Sequence, residues 1–289
     1  MTRIAIIGFG EVGAILADDL APRAALSAWD TQFVNADSAP SRAAASRNLR
    51  VATSAADAAS DADVAISAVT AAQTEAAAQA AAPGLAKGAF YLDLNSASPA
   101  AKIAASDVVE KVGGLYVEAA VMAPIQPKRL NTPILLGGPR AEDFLSGAKD
   151  LGFGGARMYD RALGKAAAAK LCRSVMVKGV EALLVESLLA ARHYQVEDEV
   201  VASLANMFPG ANWSTLSRYM MSRAIEHGRR RAEEMREAAK TVADAGLDPL
   251  MSTACAARQD WAAEALGGAH GDDLVTLLDA MERALKDKN

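Results

Sequence analysis

Short apolar runs alternate with amphipathic stretches along the first half of the chain. Residues 3–7, apolar from Ile4 onward, predict a buried strand, and the helix expected after it carries Ile15, Leu16 and Leu20 on one face. The same pattern predicts further strands over 26–30, 63–69, 89–92, 115–121 and 134–136 and near 157–158, and helices over 71–81 and from Pro99. This alternation predicts a parallel sheet with helices on both faces.

The pattern changes after about residue 160. From Leu163 onward no segment alternates as a strand does, and long helical segments are interrupted near Pro209, Gly246 and Gly267. The sequence therefore predicts an α/β domain over residues 1–160 and an all-α domain over residues 161–289, which begins with a long interdomain helix.

Three glycines follow the first predicted strand, in the segment Gly8-Phe9-Gly10-Glu11-Val12-Gly13. A secretory signal peptide is the alternative interpretation, but it requires an unbroken apolar middle, which these glycines and the glutamate interrupt. In a G-x-G-x-x-G turn the glycines permit a tight bend, a close approach to a pyrophosphate, and close packing of helix on strand. We therefore expect a Rossmann-type domain in which these six residues bind a dinucleotide, joined by Ala68, Val69 and Thr70 at the end of a neighbouring strand.

A carboxylate ends the second predicted strand. Asp30 lies 22 residues beyond Gly8 (30 − 8), where an acidic side chain can accept hydrogen bonds from the adenosine ribose. A carboxylate there would repel a 2′-phosphate, so NAD is favoured over NADP. Asp30 as a simple turn residue is the alternative, and Arg42 and Arg47 downstream keep NADP open.

Composition narrows the class of protein. The 289 residues are 52% hydrophobic and 22% charged, with a formal net charge of −5, which gives no overall field for nucleic acid or an anionic membrane. Charged residues interrupt every long apolar run, so no membrane helix is expected. Cys172 and Cys255 lack metal-ligand spacing, and we interpret them as reduced core residues of a cytoplasmic protein without a metal site.

The segment 164–193 reads as one helix with a narrow polar strip. Taking Lys170 as zero and about 100° per residue, Glu181, Ser174 and Lys178 fall near 20°, 40° and 80°. Most other positions are apolar around the whole circumference, which is typical of a buried helix. Lys170 could then act as a general acid or base; the alternative is that its methylenes simply carry the ammonium to solvent.

Four segments resemble, in order and spacing, those of the β-hydroxyacid dehydrogenases, relatives of 6-phosphogluconate dehydrogenase, and in particular a branch with a distinctive C-terminal helical domain. They are Gly8 to Gly13, Asp93-Leu94-Asn95-Ser96-Ala97-Ser98-Pro99, Glu118-Ala119-Ala120-Val121-Met122-Ala123-Pro124, and Gly164-Lys165-Ala166-Ala167-Ala168-Ala169-Lys170-Leu171-Cys172-Arg173-Ser174. The resemblance covers almost the whole chain. It implies that Lys170 exchanges a proton with the reacting oxygen and that Asn95 and Ser96 lie beside nicotinamide and substrate.

Two departures from this family concern the substrate. Ser174 replaces an asparagine and offers one hydroxyl proton in place of two amide protons. Met122-Ala123-Pro124 replaces a Ser-Gly-Gly segment that grips a substrate carboxylate, and proline has no N–H. We therefore expect a substrate other than a simple small 3-hydroxy acid.

A basic segment near residue 230 offers a second anchor. On a helix His227, Arg231 and Glu234 share one face, so Arg231 could bind a carboxylate or phosphate and His227 could share a proton. A solvated, salt-bridged face is the alternative. The expected substrate-binding set is Asn95, Ser96, Met122, Ser174, His227 and Arg231.

These inferences predict an NAD(P)-dependent oxidoreductase that transfers a hydride between nicotinamide and a carbonyl or alcohol. An imine reductase on the same fold and a non-catalytic NAD(P)-binding protein are the alternatives. The expected partners are a small-molecule substrate and a second copy of the chain, because a long apolar helix followed by amphipathic helices usually finds a partner face.

Overall fold

The computed structural model describes residues 1–287. Its strands are β1 (Thr2–Ile7), β2 (Ala24–Trp29), β3 (Arg50–Val51), β4 (Val64–Ser67), β5 (Phe90–Asp93), β6 (Leu115–Val121), β7 (Ile134–Gly137) and β8 (Ala156–Asp160). The helices between them are α1 (Glu11–Leu20), α2 (Ala39–Ala45), α3 (Ala55–Ala59), α4 (Thr74–Ala81), α5 (Pro99–Lys111), α6 (Ile125–Lys128) and α7 (Ala141–Ala148). Five more helices follow: α8 (Lys165–Tyr194), α9 (Glu197–Met207), α10 (Trp213–Asp244), α11 (Leu250–Ala265) and α12 (Leu274–Lys286).

The chain forms two compact units, Met1–Lys170 and the residues from Leu171 onward. The division falls inside α8, ten residues beyond the predicted start of the helical domain. No helix among residues 1–287 combines the length and apolarity needed to cross a bilayer.

The first unit is built on one eight-stranded sheet with the order β3-β2-β1-β4-β5-β6-β7-β8. Strands β1 to β6 pair in parallel, β7 runs antiparallel to β6, and β8 is parallel to β7. The predicted fold class, a Rossmann-type α/β domain followed by helices, is confirmed. The edge strand β3 was not predicted, because both of its residues are exposed and carry no apolar pattern.

Side chains along β1 alternate between two hydrophobic cores, one on each face of the sheet. Ile4 and Ile6 pack on one face of the sheet, and Ala5 and Ile7 pack on the other. The second face is covered mainly by alanines of α3 and α4, whose small side chains let these helices lie close to the strands. Both faces of the parallel sheet are therefore buried.

The second unit is a helical bundle. Its largest apolar cluster joins α8, α10, α11 and α12 through Val185, Leu188, Met221, Leu277 and Met281, among others. At Gly228 a Cβ atom would overlap the backbone of Gln259, so α10 and α11 approach each other at a glycine. Among the described residues of this unit all regular elements are helices.

Two expectations about α8 and the cysteines need correction. Cys255 is buried as predicted, but Cys172 is exposed, because it lies on a side of α8 that this chain does not cover. Met176 and Leu183 are likewise 69% and 58% exposed. The prediction that α8 is buried around its whole circumference is therefore wrong for the single chain.

Candidate functional site

The glycine turn between β1 and α1 has the geometry that a dinucleotide needs. A Cβ atom on Gly8 would lie 2.5 Å from the carbonyl oxygen of Ala68, and one on Gly13 would overlap the carbonyl of Gly8. Both glycines are therefore required by packing within the unit. At Gly10 a Cβ atom would meet no described atom within 4 Å, which leaves the backbone open beside the first turn of α1. This open backbone at a helix N-terminus fits a pyrophosphate.

Asp30, which directly follows β2, forms a hydrogen bond to the backbone of the glycine turn. Its Oδ2 accepts a hydrogen bond from the N–H of Phe9 at 2.7 Å, and its Oδ1 accepts one from the N–H of Gln32 at 2.8 Å. Each oxygen keeps acceptor capacity, so the carboxylate can hold the turn and still accept from a ribose hydroxyl. The side chain of Phe9 is buried and packs on Phe33, so it is the backbone of Phe9 that faces the turn.

The other members of the predicted cofactor set lie around this turn. Glu11 begins α1 and is exposed, whereas Val12 packs against the core. Of the two downstream arginines, Arg47 binds the carboxylate of Asp18 through Nε at 2.8 Å and Nη2 at 2.9 Å. Arg42 donates to the backbone carbonyl of Asp37. Both guanidinium groups are therefore engaged within the first unit.

Asn95 clamps the ends of two neighbouring strands. Its Oδ1 accepts from the N–H of Val69 at 2.7 Å, and its Nδ2 donates to the Oγ of Ser67 at 2.9 Å. The segment Ala68-Val69-Thr70 is thereby held against Gly8, since a Cβ atom on that glycine would meet the carbonyl of Ala68 and the side chain of Val69. Asn95 is 3% exposed. The amide predicted to touch cofactor and substrate thus has both of its ends bonded within the protein, with one N–H left to offer.

A buried ion pair that the sequence did not predict lies next to Asn95. The Nζ of Lys102 is 2.8 Å from Oδ1 of Asp93, and the hydroxyl of Tyr116 donates to Oδ2 at 2.7 Å. Asp93 also accepts from the N–H of Asn95 at 2.9 Å. Burial, followed by the charge of Asp93, raises the pKa of Tyr116 well above its usual value, so the phenol stays protonated and donates.

The helical period could have revealed this lysine. On α5 the buried positions are Lys102, Ala105, Ser106 and Val109, which is the i, i+3, i+4, i+7 spacing of a core face. A lysine on such a face requires a carboxylate partner. Asp93 stands at the end of the preceding strand.

Lys170 meets the same edge of the sheet. Its Nζ donates to the Oγ of Ser96 at 2.5 Å, and its side chain is half-buried. Ser96 directly follows Asn95, so the ammonium, the hydroxyl and the clamped amide lie together at the carboxyl end of β5. The alternative, a lysine that only reaches solvent, does not account for this contact.

Glu118 of β6 holds the start of α8, a role that the sequence did not predict. Its two carboxylate oxygens accept from the N–H groups of Gly164 at 2.7 Å and Ala167 at 2.6 Å. The side chain is fully buried, and burial raises the pKa of Glu118, while the nearby charge of Lys102 and the two N–H donors act in the opposite direction. Because Lys170 lies less than one turn beyond Ala167, Glu118 fixes the position from which the lysine reaches Ser96.

Met122 behaves as an apolar residue. It is half-buried against Ala120, Leu135 and Ala166, and its N–H donates to the carbonyl of Pro133 at 2.9 Å. With the N–H of Met122 engaged and Pro124 lacking one, this segment offers fewer donors to a carboxylate than the family's Ser-Gly-Gly segment.

In the second unit, polar residues of α8 form ion pairs with residues of α10. Ser174, Lys178 and Glu181 are 5%, 5% and 2% exposed. Lys178 donates to Glu234 at 2.7 Å and to the Oγ of Ser174 at 3.2 Å. Arg231 binds Glu181 through both Nε and Nη2.

Arg231 and His227 lie on α10 at positions beyond Ser174 along α8. The pairs 178–234 and 181–231 show that α8 and α10 run antiparallel, so His227 lies still further along α8 from Ser174 than Glu181 does. The two residues therefore do not join Ser174 within one chain, and Arg231 is engaged by Glu181. Burial lowers the pKa of His227, as do the charges of Arg223, Arg230 and Arg231, whereas Glu226 opposes the shift.

The turn, the Asp30 carboxylate and the edge at Asn95 define a NAD-binding protein with a hydroxyacid-dehydrogenase-like fold. Residues 3–145 match the NAD binding domain of 6-phosphogluconate dehydrogenase, and residues 191–262 match a domain of unknown function, DUF1932. A comparison with curated proteins found no match.

Two solved structures are related along their whole length. A conserved hypothetical protein from Sinorhizobium meliloti 1021 is 36% identical, with 99% of this chain and 97% of that one covered and a TM-score of 0.75. The conserved protein MTH1747, described as structurally similar to 3-hydroxyacid dehydrogenases, is 30% identical, with 98% and 99% covered and a TM-score of 0.69. The chain belongs to this family of 6-phosphogluconate dehydrogenase-like, NAD-binding proteins with a DUF1932 domain.

More distant structures share the fold alone. The 3-hydroxyisobutyrate dehydrogenase of Mycobacterium tuberculosis with L-serine is 18% identical, with 98% and 99% covered and a TM-score of 0.73. An imine reductase of Streptomyces aurantiacus is 19% identical, with 97% and 99% covered and a TM-score of 0.53.

Proposed function

We propose that the protein is an oxidoreductase that uses NAD in preference to NADP and interconverts a carbonyl and an alcohol, with Lys170 as the proton donor or acceptor. The observation that carries this proposal is the contact between the Lys170 ammonium and the Ser96 hydroxyl, 2.5 Å apart, at the strand edge next to Asn95. General acid–base groups must lie within hydrogen-bond reach of the proton they move.

The glycine turn and Asp30 fit the cofactor. The open backbone at Gly10 would hold the pyrophosphate, and the carboxylate of Asp30, which accepts from the N–H of Phe9, would also accept from the adenosine ribose. When bound, NAD supplies or accepts the hydride. Val69 and Asn95 position the strand edge next to the turn.

Lys170 moves the proton. A substrate oxygen beside the ammonium receives a proton from Nζ when a carbonyl is reduced, and returns it when the alcohol is oxidised. Ser96 keeps the ammonium at the sheet edge, and Glu118 keeps the start of α8 in place. Positioning of this kind converts a group on a flexible side chain into an oriented catalyst.

The segment after β6 offers few N–H donors to a substrate carboxylate, and this bears on the class of substrate. Met122 presents an apolar side chain and uses its N–H within the protein, and Pro124 has none. A simple small 3-hydroxy acid would find a weaker carboxylate site here than in 3-hydroxyisobutyrate dehydrogenase. We infer a bulkier or less anionic carbonyl or alcohol substrate.

Reduction of a C=N bond is the second candidate. The apolar Met122 segment favours it, and an imine reductase shares the fold. Lys170 favours the carbonyl reaction, because the reacting oxygen needs a proton donor beside it.

The test is a screen of ketones, aldehydes, oxo acids and cyclic imines with NADH and NADPH, followed by Lys170→Met. The native chain should consume NADH with at least one carbonyl, and the variant should lose about 10²–10⁴-fold in kcat/KM. The Kd for NADH should stay the same. Lys165→Met, at the exposed first residue of α8, is the matched control and should keep full activity.

Full turnover by Lys170→Met would refute the role of the lysine. Turnover of imines alone would support the second candidate. Binding of NADH with no turnover across the panel would point to a protein that binds the cofactor without catalysis.

A further inference from the structure

Ser96 is the accessible residue in the turn that follows β5. Its neighbours on either side, Asn95 and Ala97, are 3% and 1% exposed, whereas Ser96 is half-buried. Asn95 is fixed by three hydrogen bonds, made by its own N–H and by both ends of its side-chain amide. Pro99 then begins α5. The Oγ atom of Ser96 therefore lies on a short side chain whose backbone is held on both sides.

The hydroxyl of Ser96 has a proton that the protein does not use. A serine hydroxyl can donate one proton and accept two. Oγ accepts from the Nζ of Lys170 at 2.5 Å. Because two protons cannot lie between the same two atoms, the proton of the hydroxyl points away from the ammonium. Among residues 1–287 it is donated to no protein acceptor, so it is available to an oxygen outside the chain.

Ser96 and Lys170 complement each other as a proton donor. A serine hydroxyl is a weak acid, and it takes part in proton transfer only next to a stronger group. The ammonium of Lys170 is such a group, since Nζ can replace the proton of Oγ across their hydrogen bond as that proton leaves. Oγ lies one carbon from a fixed backbone, whereas Nζ ends a flexible four-carbon chain. Of the two atoms, Oγ is therefore the better oriented toward a substrate.

We propose that Ser96 is a catalytic residue that relays the proton between Lys170 and the substrate oxygen, an inference that rests on the proposed function. In reduction, the carbonyl carbon gains a hydride from NADH, and the carbonyl oxygen takes the proton of the Ser96 hydroxyl. Oγ takes a proton from Nζ at the same time, which leaves Lys170 as a neutral amine. Water then returns a proton to Nζ. Oxidation of the alcohol follows the same steps in reverse.

The first test compares Ser96→Ala, Lys170→Met and the double variant on a carbonyl that the native chain reduces. Each single variant should lose about a hundredfold or more in kcat/KM, and the double variant should lose no more than Lys170→Met, because both residues serve one proton path. Ser96→Thr keeps a hydroxyl and should keep most of the activity. Ser146→Ala, at an exposed serine of α7, is the matched control and should keep full activity. Losses that add in the double variant, or full activity in Ser96→Ala, would overturn the relay.

A proton inventory separates a relay from a hydroxyl that only holds the lysine. For this test kcat/KM is measured in mixtures of H₂O and D₂O. Two protons move together in the relay, so the plot for the native chain should be curved, whereas the plot for Ser96→Ala should be straight. A straight plot for the native chain would refute the relay and would make Ser96 a positioning residue for Lys170.

The contact between the two residues can also be followed without turnover. In the ¹⁵N-labelled chain, NMR of the lysine ammonium groups measures how fast their protons exchange with water, and Lys170→Met identifies the signal of Lys170. Ser96→Ala should speed this exchange by about tenfold or more, because a hydrogen bond to a charged group is lost. An unchanged exchange rate would rule out the relay even in an active enzyme. An intact contact without turnover on the whole panel would instead refute the proposed function, on which the relay depends.

Discussion

Lys170 and Lys178 lie two turns apart on the same polar strip of α8, yet their surroundings differ. Lys170 is half-buried and donates to a neutral hydroxyl, that of Ser96. Lys178 is 5% exposed and is bound to the carboxylate of Glu234. The polar strip of α8 predicts which of its lysines point toward the protein interior. The carboxylate of Glu234 holds Lys178 as a structural cation, whereas our proposal assigns proton transfer to Lys170.

The largest expected effect comes from a third lysine, Lys102, which is fully buried. Lys102→Met leaves the fully buried carboxylate of Asp93 without its cation, which should lower the free energy of unfolding by about 3–5 kcal/mol in urea titrations. The Kd for NADH should also rise, because Asp93 holds the backbone of Asn95. Lys111→Met, exposed at the end of the same helix, is the control and should change neither quantity. A variant as stable as the native chain would show that the pair contributes little.

The next expected effect tests the difference between Lys178 and Lys170. Lys178→Met should lower the free energy of unfolding by about 2–3 kcal/mol, because it removes the cation bound to the mostly buried carboxylate of Glu234, whereas Lys170→Met, at a half-buried side chain, should change it by less than about 1 kcal/mol. Glu234→Leu added to Lys178→Met should restore part of the loss, as measured by thermal or urea unfolding. Equal losses for the two single variants would remove the distinction between a structural and a catalytic lysine.

The smallest expected effect is on the reaction rate of the Cys255 thiol, which contacts the backbone of Lys178. The Sγ of this cysteine donates to the carbonyl of Lys178 at 3.0 Å, and burial raises the pKa of Cys255 to about 11. In a Cys172→Ser background, a thiol reagent at about pH 8, just below the ordinary thiol pKa, should therefore react with native protein very slowly and with unfolded protein at once. The rate should increase when Lys178→Met is added. Rapid labelling of the native single-cysteine chain would contradict the buried contact.

The same pKa carries a stability prediction. Because the folded-state pKa is raised above the ordinary 9.0, the unfolded chain loses its thiol proton first as the pH rises. The contribution of Cys255 is fully present below the ordinary pKa of 9.0 and is lost as the pH rises through about 11. In Cys255→Ala, this alkaline part of the stability profile should flatten.

The sheet, the glycine turn and the change to helices could all be predicted, because each rests on local pattern. The period of two along β1 and the spacing of the glycines need no knowledge of distant residues. The edge strand β3 could not be predicted, since its two exposed residues carry no apolar pattern and their pairing with β2 joins residues distant in sequence. Local pattern also placed Lys170 on an inward strip.

The partners of the buried charges could not be predicted, because they are distant in sequence. Glu234 lies 56 residues from Lys178, and Gly164 lies 46 residues from Glu118. The sequence put Arg231 and Glu234 on one face, but nothing in a single helix shows that both would be used by α8. The exposed side of α8 was missed for a related reason: an apolar pattern shows that a face is covered, not whether the same chain covers it.

Asp30 and the separate Arg47–Asp18 pair both bear on any redesign of coenzyme preference. Replacing Asp30 alone would remove the hydrogen-bond acceptor of the Phe9 N–H and would leave Arg47 paired with Asp18. Redesign toward the phosphorylated coenzyme therefore begins with two carboxylates, one to be replaced and one to release its arginine.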